Sequence, residues 1–165
     1  MRERLTVALL APTLMTVALG AAGCGSDGDS SETEVGALSK SEFAEQANDL
    51  CSKAATDRQS VALDPNASGP VQAEQLGEII AIDEKLLADV DQLVPPESEQ
   101  DTVTQLLDQW RKRTDLEQQL RTATADDNAA EVSALDTQIQ QVDTDANQIA
   151  GGLGLDDCTL GGESP

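Results

Sequence analysis

From residue 39 to residue 160 the apolar side chains return every three or four positions, in four separate stretches. That repeat marks one face of an α-helix. In the first stretch Phe43, Ala47, Leu50 and Ala54 recur at steps of 4, 3 and 4, with Cys51 beside that face. Ser39 and Glu42 have the spacing of a capping box, and Leu38 with Phe43 that of a hydrophobic staple, so a helix is predicted to begin at Lys40. It should fade between Gln59 and Leu63, because LDPNASGP (63–70) collects turn formers. A second helix is predicted from Pro70 or Val71, where proline suits a first turn. Its stripe of Leu76, Ile79, Ile80, Leu86, Leu87, Val90, Leu93 and Val94 is interrupted at Asp83 and ends at Pro95 and Pro96.

Pro96 then suits the start of a third helix, with Glu97, Glu99 and Asp101 near the positive end of its dipole. Val103, Leu106, Leu107, Trp110 and Leu120 mark its buried side, a thinner stripe than the others. TADDN (124–128) reads as a turn, and Asn128 with Glu131 as a second capping box. In the fourth helix Val132, Leu135, Ile139, Val142, Ala146 and Ile149 form a heptad seam that Gly151 and Gly152 should stop. LGLDDCTL (153–160) then carries Cys158 back towards the other helices.

Four amphipathic helices with short connections predict an all-α, up-down-up-down four-helix bundle. No apolar alternation of period two competes with it, so no sheet is expected. The competing arrangement is a helical hairpin or a coiled-coil dimer through the fourth-helix seam. A folded monomer is the more economical, because all four stripes then bury one another. In that topology the fourth helix ends near the start of the first, which makes a bridge between Cys51 and Cys158 geometrically reasonable.

Ahead of residue 39 the pattern changes. Two arginines within residues 1–4 precede an uncharged apolar run over residues 5–23, the order of a secretory signal. Ala21, Ala22, Gly23 and Cys24 resemble the lipobox of bacterial lipoproteins, although Ala21 stands where Leu is commonest. In that family the cysteine thiol receives a diacylglycerol, and cleavage leaves the cysteine as the first residue. The alternatives are an uncleaved anchor, since 19 apolar residues just span a bilayer, or ordinary cleavage with Cys24 free. GSDGDSSETEVG (25–36) holds one sizeable apolar residue and reads as a tether. The expected division is a lipoprotein signal peptide over 1–23, an acidic flexible tether over 24–38, the bundle over 39–160 and a disordered tail over 161–165.

Charge narrows the partners. The chain carries a net charge of −21, which becomes −22 when residues 1–23, with two arginines and one glutamate, are removed. Such a surface repels phosphate backbones and anionic headgroups, so nucleic acid is excluded as a partner and attachment falls to the lipid on Cys24. The acidity itself needs no cation site to explain it, because solubility or salt adaptation accounts for it. Three cysteines are an odd number. If Cys24 is acylated, Cys51 and Cys158 remain as a pair, and outside the cytoplasm such a pair oxidises. Closing so long a loop stabilises by about 4 to 5 kcal/mol on the chain-entropy model.

The sequence has no His and no Tyr, which removes His-dependent triads, imidazole metal ligation and tyrosine acid-base chemistry. DDNAAEVSALD (126–136) lacks the glycine and alternating ligands of a calcium loop. Ser39-Lys40 and Ser52-Lys53 lack the spacing of a Ser-Lys nucleophile, and GGLGL (151–155) follows a helix rather than a strand. Asp89 with Asp91, and Asp143 with Asp145, are two apart on helices and read as solvated surface. No catalytic residue, metal or cofactor is expected. Trp110 with Arg111 and Arg113 is the one candidate contact with a partner, weighed against Trp110 as a core residue.

Phe43 with Cys51 eight residues on, the break at Leu93-Val94-Pro95-Pro96 before a Trp-bearing helix, and Gly154-Leu155-Asp156-Asp157-Cys158 together resemble small actinobacterial-type lipoproteins of uncharacterised function. The resemblance spans residues 38–161 and implies a helical, disulfide-bridged domain outside the membrane. The expected role is a non-enzymatic lipoprotein on the outer face of the cytoplasmic membrane, binding an envelope protein or cell-wall partner. A carrier of a small apolar ligand is the alternative reading, and a hydrolase the last.

Overall fold

The computed structural model describes residues 36–161. The expectations for the signal peptide, for Cys24 and most of the tether, and for tail residues 162–165 lie outside the described residues. Four helices follow one another as α1 (Lys40–Ser60), α2 (Gly69–Asp91), α3 (Gln100–Ala125) and α4 (Ala129–Leu153). Among the described residues there is no strand. The architecture is the all-α four-helix bundle that the apolar periodicity predicts.

The start of α1 is capped as its sequence requires. Ser39 Oγ accepts from the Glu42 N–H at 3.3 Å, and Glu42 Oε2 accepts from the Ser39 N–H at 2.9 Å. The hydrogen bonds from the Ser39 side chain and backbone lower the pKa of the Glu42 carboxyl. Phe43, Ala47, Cys51 and Ala54 form the buried face, so Cys51 lies on that face rather than beside it.

Several boundaries differ from expectation, each for a local reason. α2 begins at Gly69, with Pro70 inside its first turn. A side chain at Gly69 would run into the Thr124 carbonyl and the Asp127 carboxylate, so α2 starts against the α3–α4 turn. It stops at Asp91, ahead of the prolines, so that Val94, expected in the apolar stripe, lies beyond the helix and is exposed; its carbonyl accepts from the Leu38 N–H at 2.9 Å. Pro96 precedes a 3-10 turn, Glu97–Glu99, and α3 begins only at Gln100. Asn128 caps α4 by accepting from the Glu131 N–H. The reciprocal half of the box is altered, since Glu131 takes its bond from the Asn128 side-chain amide while the Asn128 N–H goes to the Ala123 carbonyl. α4 also continues through Gly151 and Gly152, burying Leu153, and ends at Gly154 in the left-handed region at φ 75°. Glycine reaches that conformation without steric cost.

The third helix corrects its thin stripe. Val103, Leu106, Leu107 and Trp110 are buried as expected and Leu120 only partly, but Thr114, Leu116, Glu117 and Ala123 are buried as well. α3 packs against both α2 and α4. Its stripe is therefore wide and partly polar.

Beyond Gly154 the chain turns back, and α1 meets α4 chiefly through this segment. Leu155 is fully buried and Leu160 is buried. One asparagine from each flanking helix clamps the segment. Asn48 donates to the Gly154 carbonyl and accepts from the Asp157 N–H, each at 3.0 Å. Asn147 donates to the Leu160 carbonyl at 2.8 Å and accepts from its N–H at 2.7 Å. Within a second 3-10 turn, Asp156–Cys158, the disulfide joins Cys158 to Cys51 across a sequence separation of 107.

Candidate functional site

Two features stand out in the bundle, one charged and buried, the other apolar and open. The first joins all four helices. Asp83 on α2 accepts from Arg58 Nε of α1 at 2.5 Å and, through its other oxygen, from Arg113 Nη1 of α3 at 2.7 Å. Arg113 Nε donates to Asp143 of α4 at 2.8 Å, and Arg113 Nη1 lies 2.6 Å from Glu117 Oε1 one turn along its own helix. Asp83, Glu117 and Asp143 are each 7% exposed. A side chain added at Gly161 would meet Asp143 Oδ2, so the C-terminal segment covers this cluster.

Two guanidinium groups face three carboxylates. Burial opposes the charge on Arg113, but the surrounding Glu117, Asp83 and Asp143 outweigh it and raise the guanidinium pKa. Burial raises Glu117 to about 7; Arg113 and Arg58 pull against that shift, while Asp83 and Asp143 add to it. Burial also raises Asp143, against the pull of Arg113. Glu117 Oε2 is buried and has no hydrogen-bond partner in the protein. A proton on Glu117 would balance the cluster's charge and make that oxygen a potential donor. The adjoining cavity, lined by Arg58, Asp83, Trp110, Arg113 and Leu160 among others, measures about 10 Å³. That is about the room one water needs.

The second feature lies where the α1–α2 loop passes the start of α2, the end of α3 and the start of α4. Leu63, Leu76, Leu120 and Val132 contribute apolar surface to a groove of about 440 Å³. Leu63 is 57% exposed. Beneath it lies a small second core of Leu116, Ala123, Leu135 and Val142, separate from the main core around Phe43, Leu106 and Trp110. α1 contributes nothing to this second core, because it has already ended at Ser60.

The residues expected to meet a partner are divided by the structure. Trp110 is 5% exposed and belongs to the main core, and Arg113 is held by three carboxylates. Arg111 alone of the three is exposed, pairing with Asp91 and Asp108. Asp143, expected at the solvated surface, is buried because Arg113 reaches it from α3. Asp83 is a core position rather than a break in the stripe. Sequence reasoning missed the cluster, yet a signal existed: Asp83 is three residues from both Ile80 and Leu86, and Glu117 is seven from Trp110. Each is a charge in phase with a buried face.

No family model, curated protein or solved structure matches the chain. Among the described residues, no helix is long and apolar enough to cross a membrane, and no three Cys, Asp or Glu side chains converge as a metal-binding group.

Proposed function

We infer that this chain is an exported lipoprotein, anchored through a lipid on Cys24, whose bundle serves binding rather than catalysis. The observation that carries this reading is the use of the cysteines. Cys51 and Cys158 are joined within the bundle, and Cys24 follows an apolar run and three small residues at the edge of an acidic tether. A structural disulfide fits an oxidising compartment. The buried cluster supports a non-catalytic role, since the cavity beside it has space for a single water and none for a substrate. Cys24→Ala should release the chain from the membrane fraction or block its processing. Mature-length Cys24→Ala protein retained in membranes would reject the anchor.

A second reading, a carrier of a small apolar molecule, is favoured by the groove of about 440 Å³ at the α1–α2 loop. Ligand pockets commonly enclose about 300 to 1,000 Å³.

A further inference from the structure

The early end of α1 leaves the second core roofed by a loop rather than a helix. α3 runs on to Ala125 and α4 begins at Ala129, so both extend past the level at which α1 stops. Residues 61–68 cross that gap, held by a bond from the Asp64 N–H to Gln75 Oε1 at 3.2 Å. Leu63 and Pro65 thereby form one wall, facing Leu76, Leu120 and Val132. The charged residues lining the groove are Asp64 and Asp136, both exposed, and no Lys or Arg lines it.

We propose that this groove binds a small cationic amphiphile, with its apolar body against Leu63, Leu76, Leu120 and Val132 and its positive head beside Asp64 and Asp136. The proposal rests on the carrier reading and deepens it by fixing the charge of the ligand. Apolar walls supply affinity to any amphiphile, whereas two carboxylates in a groove that no Lys or Arg lines favour positive charge and repel negative charge. The field of a chain at −21 acts in the same direction. The groove also lies at the end of the bundle away from the entering chain, since Leu38 bonds to Val94 beyond the other end of α2. With 23 residues, α2 separates the two ends by about 34 Å.

The test uses the chain from residue 24 onward, carrying Cys24→Ser and with its disulfide intact. Calorimetric titration with decyltrimethylammonium, decyl maltoside and decanoate, each below its micelle-forming concentration, compares three head-group charges on one tail. The expected result is saturable one-to-one binding of decyltrimethylammonium, tighter than that of the other two. Asp136→Asn should weaken this binding about two- to fivefold and leave decyl maltoside unchanged. Asp136→Lys should move the preference towards decanoate, a reversal that loss of folding cannot imitate. Leu63→Ser, at an exposed loop position, should weaken all three. Equal affinity for decyltrimethylammonium and decyl maltoside would overturn the charge assignment and leave the carrier reading standing. Binding of none of the three, or a dimer in sedimentation that occludes the groove, would overturn both.

Discussion

Glu117 is one turn from Arg113 on α3, with Asp83 and Arg58 reaching the same guanidinium cluster from α2 and α1 and Asp143 from α4. Glu117→Gln keeps the shape of this side chain and removes its titration, so it isolates the effect of ionising a carboxyl there. Burial raises the group from its ordinary 4.5 to about 7. The folded protein therefore holds this proton more tightly than the unfolded chain does. The resulting stabilisation is fully present below pH 4.5 and is lost as pH rises through about 7. From 4.5 to about 7, at about 1.36 kcal/mol per pH unit, the difference amounts to about 3 kcal/mol. For a domain of this size that is roughly 10 °C in Tm. Urea unfolding of both proteins from pH 4.5 to pH 8 measures the effect. The wild type should lose stability steeply across that range, while Glu117→Gln should lose less by about 3 kcal/mol. Two other contributions run the same way: the general self-repulsion of an acidic chain and the raised pKa of Asp143. Self-repulsion acts on both proteins almost equally and drops out of the comparison. Parallel stability curves for the wild type and Glu117→Gln would refute the reasoning.

Cys51→Ser with Cys158→Ser should cost about 4 kcal/mol, read as a shift in the urea midpoint, because the bridge closes a long loop and secures the returning segment. Gly69→Ala should destabilise by about 1 to 3 kcal/mol in the same assay, since its methyl group would overlap the Thr124 carbonyl, a backbone atom that cannot swing aside. Asp83→Ala should cost about 3 to 5 kcal/mol by leaving Arg58 and Arg113 without a shared partner. Arg111→Ala, which breaks only the exposed contacts to Asp91 and Asp108, should cost less than about 1 kcal/mol in thermal unfolding.

The helices were legible in the sequence because burial of an apolar face repeats with the helical period, which Phe43, Ala47 and Ala54 keep, although Cys51 rather than Leu50 fills the place between Ala47 and Ala54. Caps were legible for the same kind of reason, as the bonds of Ser39 to Glu42 span three residues. Boundaries set by distant parts of the chain were not. α2 ends at Asp91, and the Val94 carbonyl beyond it takes a bond from Leu38, fifty-six residues away; α4 passes two glycines and buries Leu153 against other elements. The asparagines that hold the returning segment, Asn48 and Asn147, carry no local pattern at all. The apolar groove depends on the relative lengths of α1, α3 and α4, which become meaningful only once the helices stand side by side.

The buried charges show why a polar residue on an apolar face is ambiguous in one dimension. Asp83 reads as an interruption of α2 when α2 is considered alone, and Arg113 as a surface cation beside Trp110. Their pairing requires α1, α2, α3 and α4 to hold one axial register. A slip of a single turn displaces a helix by about 5.4 Å, enough to part contacts that now measure 2.5 to 2.8 Å. Apolar stripes tolerate such a slip better, because one Leu or Val replaces another at the next turn. A misregistered bundle would instead bury a guanidinium or a carboxylate without its partner, a cost of several kcal/mol per ion. The cluster's net contribution to stability is therefore a poor measure of its role. Its effect lies in the difference between the native register and its neighbours, and the paired asparagines of α1 and α4 fix the C-terminal segment over it in that same register.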